Sequence, residues 1–218
     1  MAKCGITKLT KKQRDLLTVY RNRGIAEALC PVLFDMATAE RYAEKLMKFL
    51  DRPCRGVTVV DDVPSGVDAV AKVFMEQAPT DDGSFVLYKE AHDTVFNAMW
   101  ARAYEPIMDE VICATTDSVI YTVRSKVELA VTDIVCRGSI HSSTAVDFLG
   151  TGKPVTPFLE GQWESGYKAA HEYFTEVLKL DLPDASIITD QVQFGGVWPL
   201  NCHVVICKKQ IATYDRAC

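Results

Sequence analysis

Two adjacent carboxylates, Asp61 and Asp62, directly follow an apolar run, 56–60, that we predict to be a strand. His203 lies in a second such run, 202–207. Carboxylate and imidazole side chains can serve as general acid, general base or metal ligand. If the two strands pair, the three side chains could converge on one cleft. This arrangement predicts an enzyme with an acidic site at the turn, with or without a metal ion.

The turn Asp61–Gly66 also leads into a predicted helix, 67–77, and could bind a ligand. Free backbone N–H groups and the helix dipole hold anions at such positions, so Ser65 and Gly66 are candidate ligand-binding residues. Ser65 is equally well explained as the N-cap of the helix. Trp198 is a third candidate, as part of an aromatic pocket, although a place in the main hydrophobic core beside the C-terminal helix explains it better. Two acids would repel a phosphate unless a metal ion intervened, and both common nucleotide-binding glycine motifs are absent.

Cysteine and histidine occur together in Cys202-His203 and Cys207, which raises the question of a metal site. In a strand, Cys202 and Cys207 point to opposite faces, and His203 lies about 13 Å from Cys207 at ~3.3 Å per residue. Zinc ligands lie roughly 2.0–2.3 Å from the metal, so these residues cannot chelate one ion together. No C-x-x-C pair occurs among the eight cysteines. We therefore predict neither a metal nor a cofactor.

The composition is that of an ordinary globular protein. The 218 residues are 48% hydrophobic and 24% charged, with a net charge of −5 and a pI near 5.4. An acidic chain argues against general nucleic-acid binding, which needs a basic face to displace counterions. No apolar run approaches the ~20 residues of a membrane span, and the first residues lack a secretory apolar segment. We expect a cytoplasmic protein with reduced thiols, not associated with a membrane.

Helical patterns dominate the chain. Thr10 and Gln13 have the form of a capping box and predict a helix over 11–23, ended by Gly24. Further helical segments are expected near 35–51, 67–77, 89–137 with a break at Glu105, and 162–180.

These segments predict the fold class. We expect an α+β, mostly α protein with a small sheet of about two strands, near 56–60 and 202–207, that pair with each other. The chain is expected to form a single domain over 1–218, within which 1–53 could form an N-terminal helical subregion.

A ladder of β-branched residues with period four is the most unusual pattern. It contains Ile107, Val111, Thr115, Val119, Val123, Val127, Val131 and Val135. Four residues rotate an α-helix by about 400°, so a strict repeat winds around the helix by about 40° per step. Either several sides of this helix are contacted in turn, or it is broken into shorter helices. The cap and turn formers at Thr115–Ser118 are the candidate break.

The ladder suggests a function as well as a helix. Its main explanation is a central core helix, and the alternative is an apolar stripe that binds a partner protein or a second copy of the chain. Because no coherent catalytic set is visible, we favour a non-catalytic binding or assembly protein, with self-association into a homo-oligomer as one form. The acidic enzyme at Asp61–Gly66 is the alternative.

Several motifs occur in an order that resembles an uncharacterised family of bacterial proteins, a domain of unknown function. They are Leu9-Thr10-x-x-Gln13 with Leu17-x-x-Tyr20-Arg21, Asp62-Val63-Pro64, the tetrad helix, Gly161-Gln162-Trp163 through Tyr173-Phe174, and Trp198-Pro199 before a last strand. The chain departs from the family at Gly195-Gly196-Val197, which replaces a tryptophan-rich run. The resemblance implies a fold and no activity.

Overall fold

A computed structural model describes residues 6–30, 34–76, 84–123 and 161–209. The fold is α+β and mostly α, as predicted. The helices are α1 (Lys11–Leu29), α2 (Met36–Phe49), α3 (Val63–Glu76), α4 (Ser84–Arg102), α5 (Glu105–Ile112), α6 (118–123), α7 (Ser165–Glu172) and α8 (Ser186–Thr189). In the described part of the chain, no helix is long and apolar enough to cross a membrane.

Short irregular turns extend several of these helices. A π turn at Cys113–Asp117 joins α5 to α6, and another at Tyr173–Val177 follows α7. Turns of 3₁₀ helix at Gly161–Glu164 and Asp190–Gln193 precede α7 and follow α8.

The first two helices begin where the sequence predicts. Thr10 and Gln13 form the reciprocal capping box of α1, and Asp35 caps α2 by accepting the Thr38 N–H at 2.7 Å. The expected stop at Gly24 is wrong, because α1 continues to Leu29.

Three strands form one sheet in the order β1 (Gly56–Val60), β3 (His203–Cys207) and β2 (Gly196–Pro199). β1 and β3 pair in parallel, which confirms the predicted pairing of the two strands. β2 pairs with β3 antiparallel and was not predicted, because glycine and proline usually mark turns. Proline is tolerated on an edge strand, which is where Pro199 lies.

The sheet lies between two hydrophobic layers because the residues of β3 alternate. Val204 and Ile206 face the main core, which helices from both ends of the chain build. Val205 and Cys207 face a smaller cluster with Val70 of α3. Such period-two alternation is the normal consequence of strand geometry.

The five described residues of the valine ladder are buried. Ile107, Val111, Thr115, Val119 and Val123 are each 0–2% exposed. The Thr115 hydroxyl is satisfied by donating to the Val111 carbonyl at 2.7 Å.

The π turn explains how a four-residue repeat stays buried. It contains Thr115 and coincides with the expected break, yet it does not end the helix. In a π turn each N–H bonds five residues back rather than four, so a turn holds more residues. A four-residue step then falls short of a full rotation, which offsets the excess that accumulates in the α-helical parts. Val127, Val131 and Val135 lie outside the described residues.

Three helical segments approach closely at two glycines. A Cβ on Gly24 of α1 would lie 3.0 Å from the Ser165 carbonyl oxygen of α7, and one on Gly166 would lie 2.8 Å from the Thr116 carbonyl oxygen in the π turn. The Thr116 hydroxyl donates to the Gly166 carbonyl at 3.2 Å. Gly24 thus permits a close helix crossing and is not a C-terminal cap.

Alanine variants of a ladder residue, Ile107, and of an exposed neighbour outside the ladder, Ile120, test whether the ladder packs in the core. Ile107→Ala should lower the free energy of unfolding by about 2–5 kcal/mol, because the side chain is fully buried. Ile120→Ala, at a position 37% exposed, should cost about 0.5 kcal/mol or less. Urea unfolding followed by circular dichroism gives both values, and equal losses would contradict this packing.

Gly166→Ala should destabilise the protein by about 1–3 kcal/mol, although alanine is the better helix former. The new methyl group meets backbone atoms of Thr116 that cannot move independently of the π turn. Gly24→Ala should cost less, since its one backbone contact, with the Ser165 carbonyl oxygen, is longer at 3.0 Å than the 2.8 Å contact at Gly166. Unfolding curves of the two variants that show Gly166→Ala to be as stable as the unaltered protein would refute the tight crossing.

Candidate functional site

The predicted convergence of Asp61, Asp62 and His203 is wrong. His203 pairs with Gly56 at the start of β1, whereas the two aspartates follow Val60 at its end. At ~3.3 Å per residue, the length of a five-residue strand separates them. The strands pair as predicted, but their parallel register takes the acids and the imidazole to opposite ends of the sheet.

Each of these residues has local contacts of its own. The His203 ring lies over Gly56, where a Cβ would be 2.6 Å from Nδ1, and its Nε2 is 2.8 Å from the Thr58 hydroxyl. Asp61, whose side chain is 82% exposed, accepts from Lys208 Nζ at 2.5 Å. These contacts are typical of a strand edge and a surface ion pair.

Asp62, and not Ser65, caps α3. The helix starts at Val63, four residues before the predicted start, and Asp62 Oδ1 accepts the Ser65 N–H at 2.8 Å. Hydrogen bonds from the Ser65 side chain and backbone lower the pKa of Asp62. The carboxylate therefore satisfies the start of the helix, and Ser65 is exposed beside it.

Gly66 and Trp198 do come together, but as a packing contact. Trp198 is 1% exposed, and its ring lies where a Cβ on Gly66 would be, 2.5 Å from two ring atoms. It packs with Val205 and Leu200 in the cluster beneath α3. Trp198 is therefore a core residue, but of the smaller cluster on the α3 side of the sheet and not of the main core beside the C-terminal helix, where we expected it.

Within the described ranges, no group of three or more His, Cys, Asp or Glu residues could hold a metal ion.

A concave site lies elsewhere, where five parts of the chain meet. A cleft of about 580 Å³ opens between the end of α1, the start of α2, α7, the turn after α8 and Lys209, which follows β3. Its charged lining residues are Glu27, Asp35, Lys168, Asp190 and Lys209. Its volume lies within the range of small-ligand sites, about 300–1,000 Å³, although its lining is more highly charged than is usual for them.

One wall of the cleft is a connected set of charged groups. Lys168 Nζ donates to both carboxylate oxygens of Glu27, at 3.0 and 2.9 Å. Lys209 donates to the Glu27 backbone carbonyl, where an ammonium favourably meets the negative end of the α1 dipole. Burial lowers the pKa of Lys209, as does the charge of Lys168, against the opposing effects of Cys30 and Glu27.

The other wall is acidic. Asp35 bonds the Thr38 amide at the start of α2. Asp190 accepts from Lys45 at 2.5 Å, and its backbone carbonyl accepts from Gln193 at 2.9 Å. The ion pair connects α2 to the turn after α8.

Sequence reasoning missed this cleft entirely. Its charged residues come from five separate positions along the chain, and the bonds that join Glu27 to Lys168 and Lys209 span 141 and 182 residues. No motif links such positions. The only local signal is the N-cap at Asp35, which indicates a helix and no ligand.

Comparison with protein-family models, curated proteins and solved structures finds no match to this chain. The resemblance to a bacterial family of unknown function stays a prediction.

Alanine variants of two neighbouring aspartates distinguish the stability contributed by a helix cap, Asp62, from that of a surface ion pair, Asp61. Asp62→Ala should cost about 0.5–2 kcal/mol through loss of the N-cap, and Asp61→Ala should stay within about 1 kcal/mol. Because the pKa of Asp62 is lowered on folding, its stabilisation is present above the unfolded pKa of about 3.9 and is lost as pH falls through the folded value.

Urea unfolding at neutral pH and again below pH 4 measures this effect. The deficit of Asp62→Ala should shrink at the lower pH, while Asp61→Ala should show the smaller deficit at neutral pH. A deficit for Asp62→Ala that is independent of pH would contradict the capping role.

Proposed function

We propose that the protein is a non-catalytic binding protein whose small polar ligand occupies the cleft between α1, α2, α7 and the turn after α8. The observation that carries this proposal is the cleft itself, about 580 Å³ in volume and lined by charged groups from five parts of the fold. A mixed lining of this kind orients a polar ligand through a few directed bonds. A cytoplasmic setting is part of the proposal.

The contacts at the acidic turn favour binding over the alternative of an enzyme at that turn. Asp62 is engaged in capping α3, and Asp61 pairs with Lys208 on the surface. The distance of His203 from both acids removes the imidazole that the enzyme would use. Capping and a surface ion pair therefore account for the two carboxylates without a catalytic role.

The burial of the ladder bears on assembly. Val119 and Val123 pack against Ala28 of α1, so the described part of the stripe is already covered by the chain's own residues. Binding of a protein partner or a second copy through the stripe stays a prediction for 124–135, outside the described residues. Among the described residues, the cleft therefore supports a binding function better than the stripe does.

A variant that fills the cleft tests the proposal while the ligand is still unidentified. Cys30 lines the cleft, so Cys30→Phe should block it. Cys113, which is exposed on the π turn and outside the lining, supplies the matched control Cys113→Phe. The measurement is a thermal-unfolding screen of small amino acids, amines, carboxylic acids, sugars and nucleosides.

A compound at 100 times its Kd adds about 2.7 kcal/mol to the free energy of unfolding, and each kcal/mol raises Tm by roughly 2–4 °C in a domain of this size. We expect at least one compound class to raise Tm in the unaltered protein and in Cys113→Phe, with the shift lost in Cys30→Phe. A screen with no shift, or shifts that survive in Cys30→Phe, would overturn binding in the cleft.

A further inference from the structure

The charges of the cleft are unevenly divided between its two walls. On the α1 and α7 side, Lys168 and Lys209 outnumber the single carboxylate of Glu27, so the lining residues of that wall sum to +1. Glu172 also approaches Lys168, at 3.7 Å, but it lies closer to Arg23, at 3.1 Å, and outside the lining. We call these three lining residues the basic wall.

The opposite side carries the reverse charge. Asp35 and Asp190 lie there, and the lining residues of that side sum to −2. Lys45 pairs with Asp190 from outside the lining. Arg41, which contacts the Thr38 hydroxyl at 2.8 Å, acts on Asp35. These two cations offset the −2, but they do not line the cleft, and the charged groups that face it on this side are the two carboxylates. These two carboxylates form the acidic wall.

The basic wall offers hydrogen-bond donors to a ligand, and the acidic wall offers acceptors. An ammonium has three donors, and Lys209 uses one of them on the Glu27 carbonyl in the described contacts. A carboxylate has about four acceptor sites, and Asp35 uses two of them on the backbone amide and the side chain of Thr38. Both walls can therefore accept a further partner of opposite charge.

We propose that the ligand is a small zwitterion, whose carboxylate binds at Lys209 and whose ammonium binds at Asp35 and Asp190. This inference rests on the proposed binding function and names the chemical class of its ligand. A ligand with one charge would compensate one wall and displace water from the charges of the other, which is unfavourable. An ammonium and a carboxylate on one molecule meet both walls at once.

Calorimetry with a defined set of probes tests the charge requirement in the unaltered protein. The zwitterions are glycine, β-alanine, 4-aminobutyrate and glycylglycine, which vary the distance between the two charges. The single-charge probes are ethylamine and acetate at matched ionic strength. We expect at least one zwitterion to bind tenfold or more tightly than either single-charge probe.

Variants of the lining residues then show which wall binds the carboxylate of the ligand and which binds its ammonium. Lys209→Met keeps the aliphatic stem and should weaken zwitterion binding at least tenfold, whereas Lys208→Met, beside it but paired with Asp61, should not. Asp190→Asn should weaken binding similarly, and Asp181→Asn, exposed and outside the lining, is its control. The comparison of probes in the unaltered protein stands even if a variant fails to fold.

The possible outcomes distinguish the zwitterion inference from the proposed binding function on which it rests. If ethylamine or acetate binds as tightly as every zwitterion, the zwitterion inference is wrong and binding in the cleft stands. The same holds if no zwitterion binds while another compound shows a Tm shift that Cys30→Phe abolishes. If no compound of any class binds in the cleft, both proposals fail.

Discussion

The close contact of α1, the π turn and α7 is the constraint on which the rest of the structure depends. Gly24 and Gly166 have no side chain where the backbones meet, so the helices approach within contact of each other's main chain. This approach places Glu27 of α1 beside Lys168 of α7. The same crossing that builds the core therefore also builds one wall of the cleft.

The π turn reconciles a repetitive sequence with a single core. A four-residue repeat in a regular α-helix winds away from any one face. The added residue per turn at Cys113–Asp117 offsets that winding, and the stripe remains covered from Ile107 to Val123. A π turn is often linked with function, and here it contacts Gly166 and, by its geometry, corrects the phase of the repeat.

The sheet shows how a correct local prediction leads to a wrong site. Both main strands and their pairing follow from the sequence, because β-branched runs bounded by turn residues are a local signal. The relative direction and register of two strands about 145 residues apart are set by the packing around them. That register separates His203 from Asp61 and Asp62, and it allows β2 to join the opposite edge.

The sequence by itself determined the helix-rich class, the capping box of α1, the break before Pro106 and the positions of β1 and β3. These features depend on interactions within one or two turns of chain, so local residue types suffice to specify them. Only the tertiary structure decided the role of Gly24, the use of Asp62 as a cap, the third strand and the cleft. Each of these except the cap requires segments far apart in sequence to meet, and the cap depends on a start of α3 that periodicity leaves uncertain by several residues.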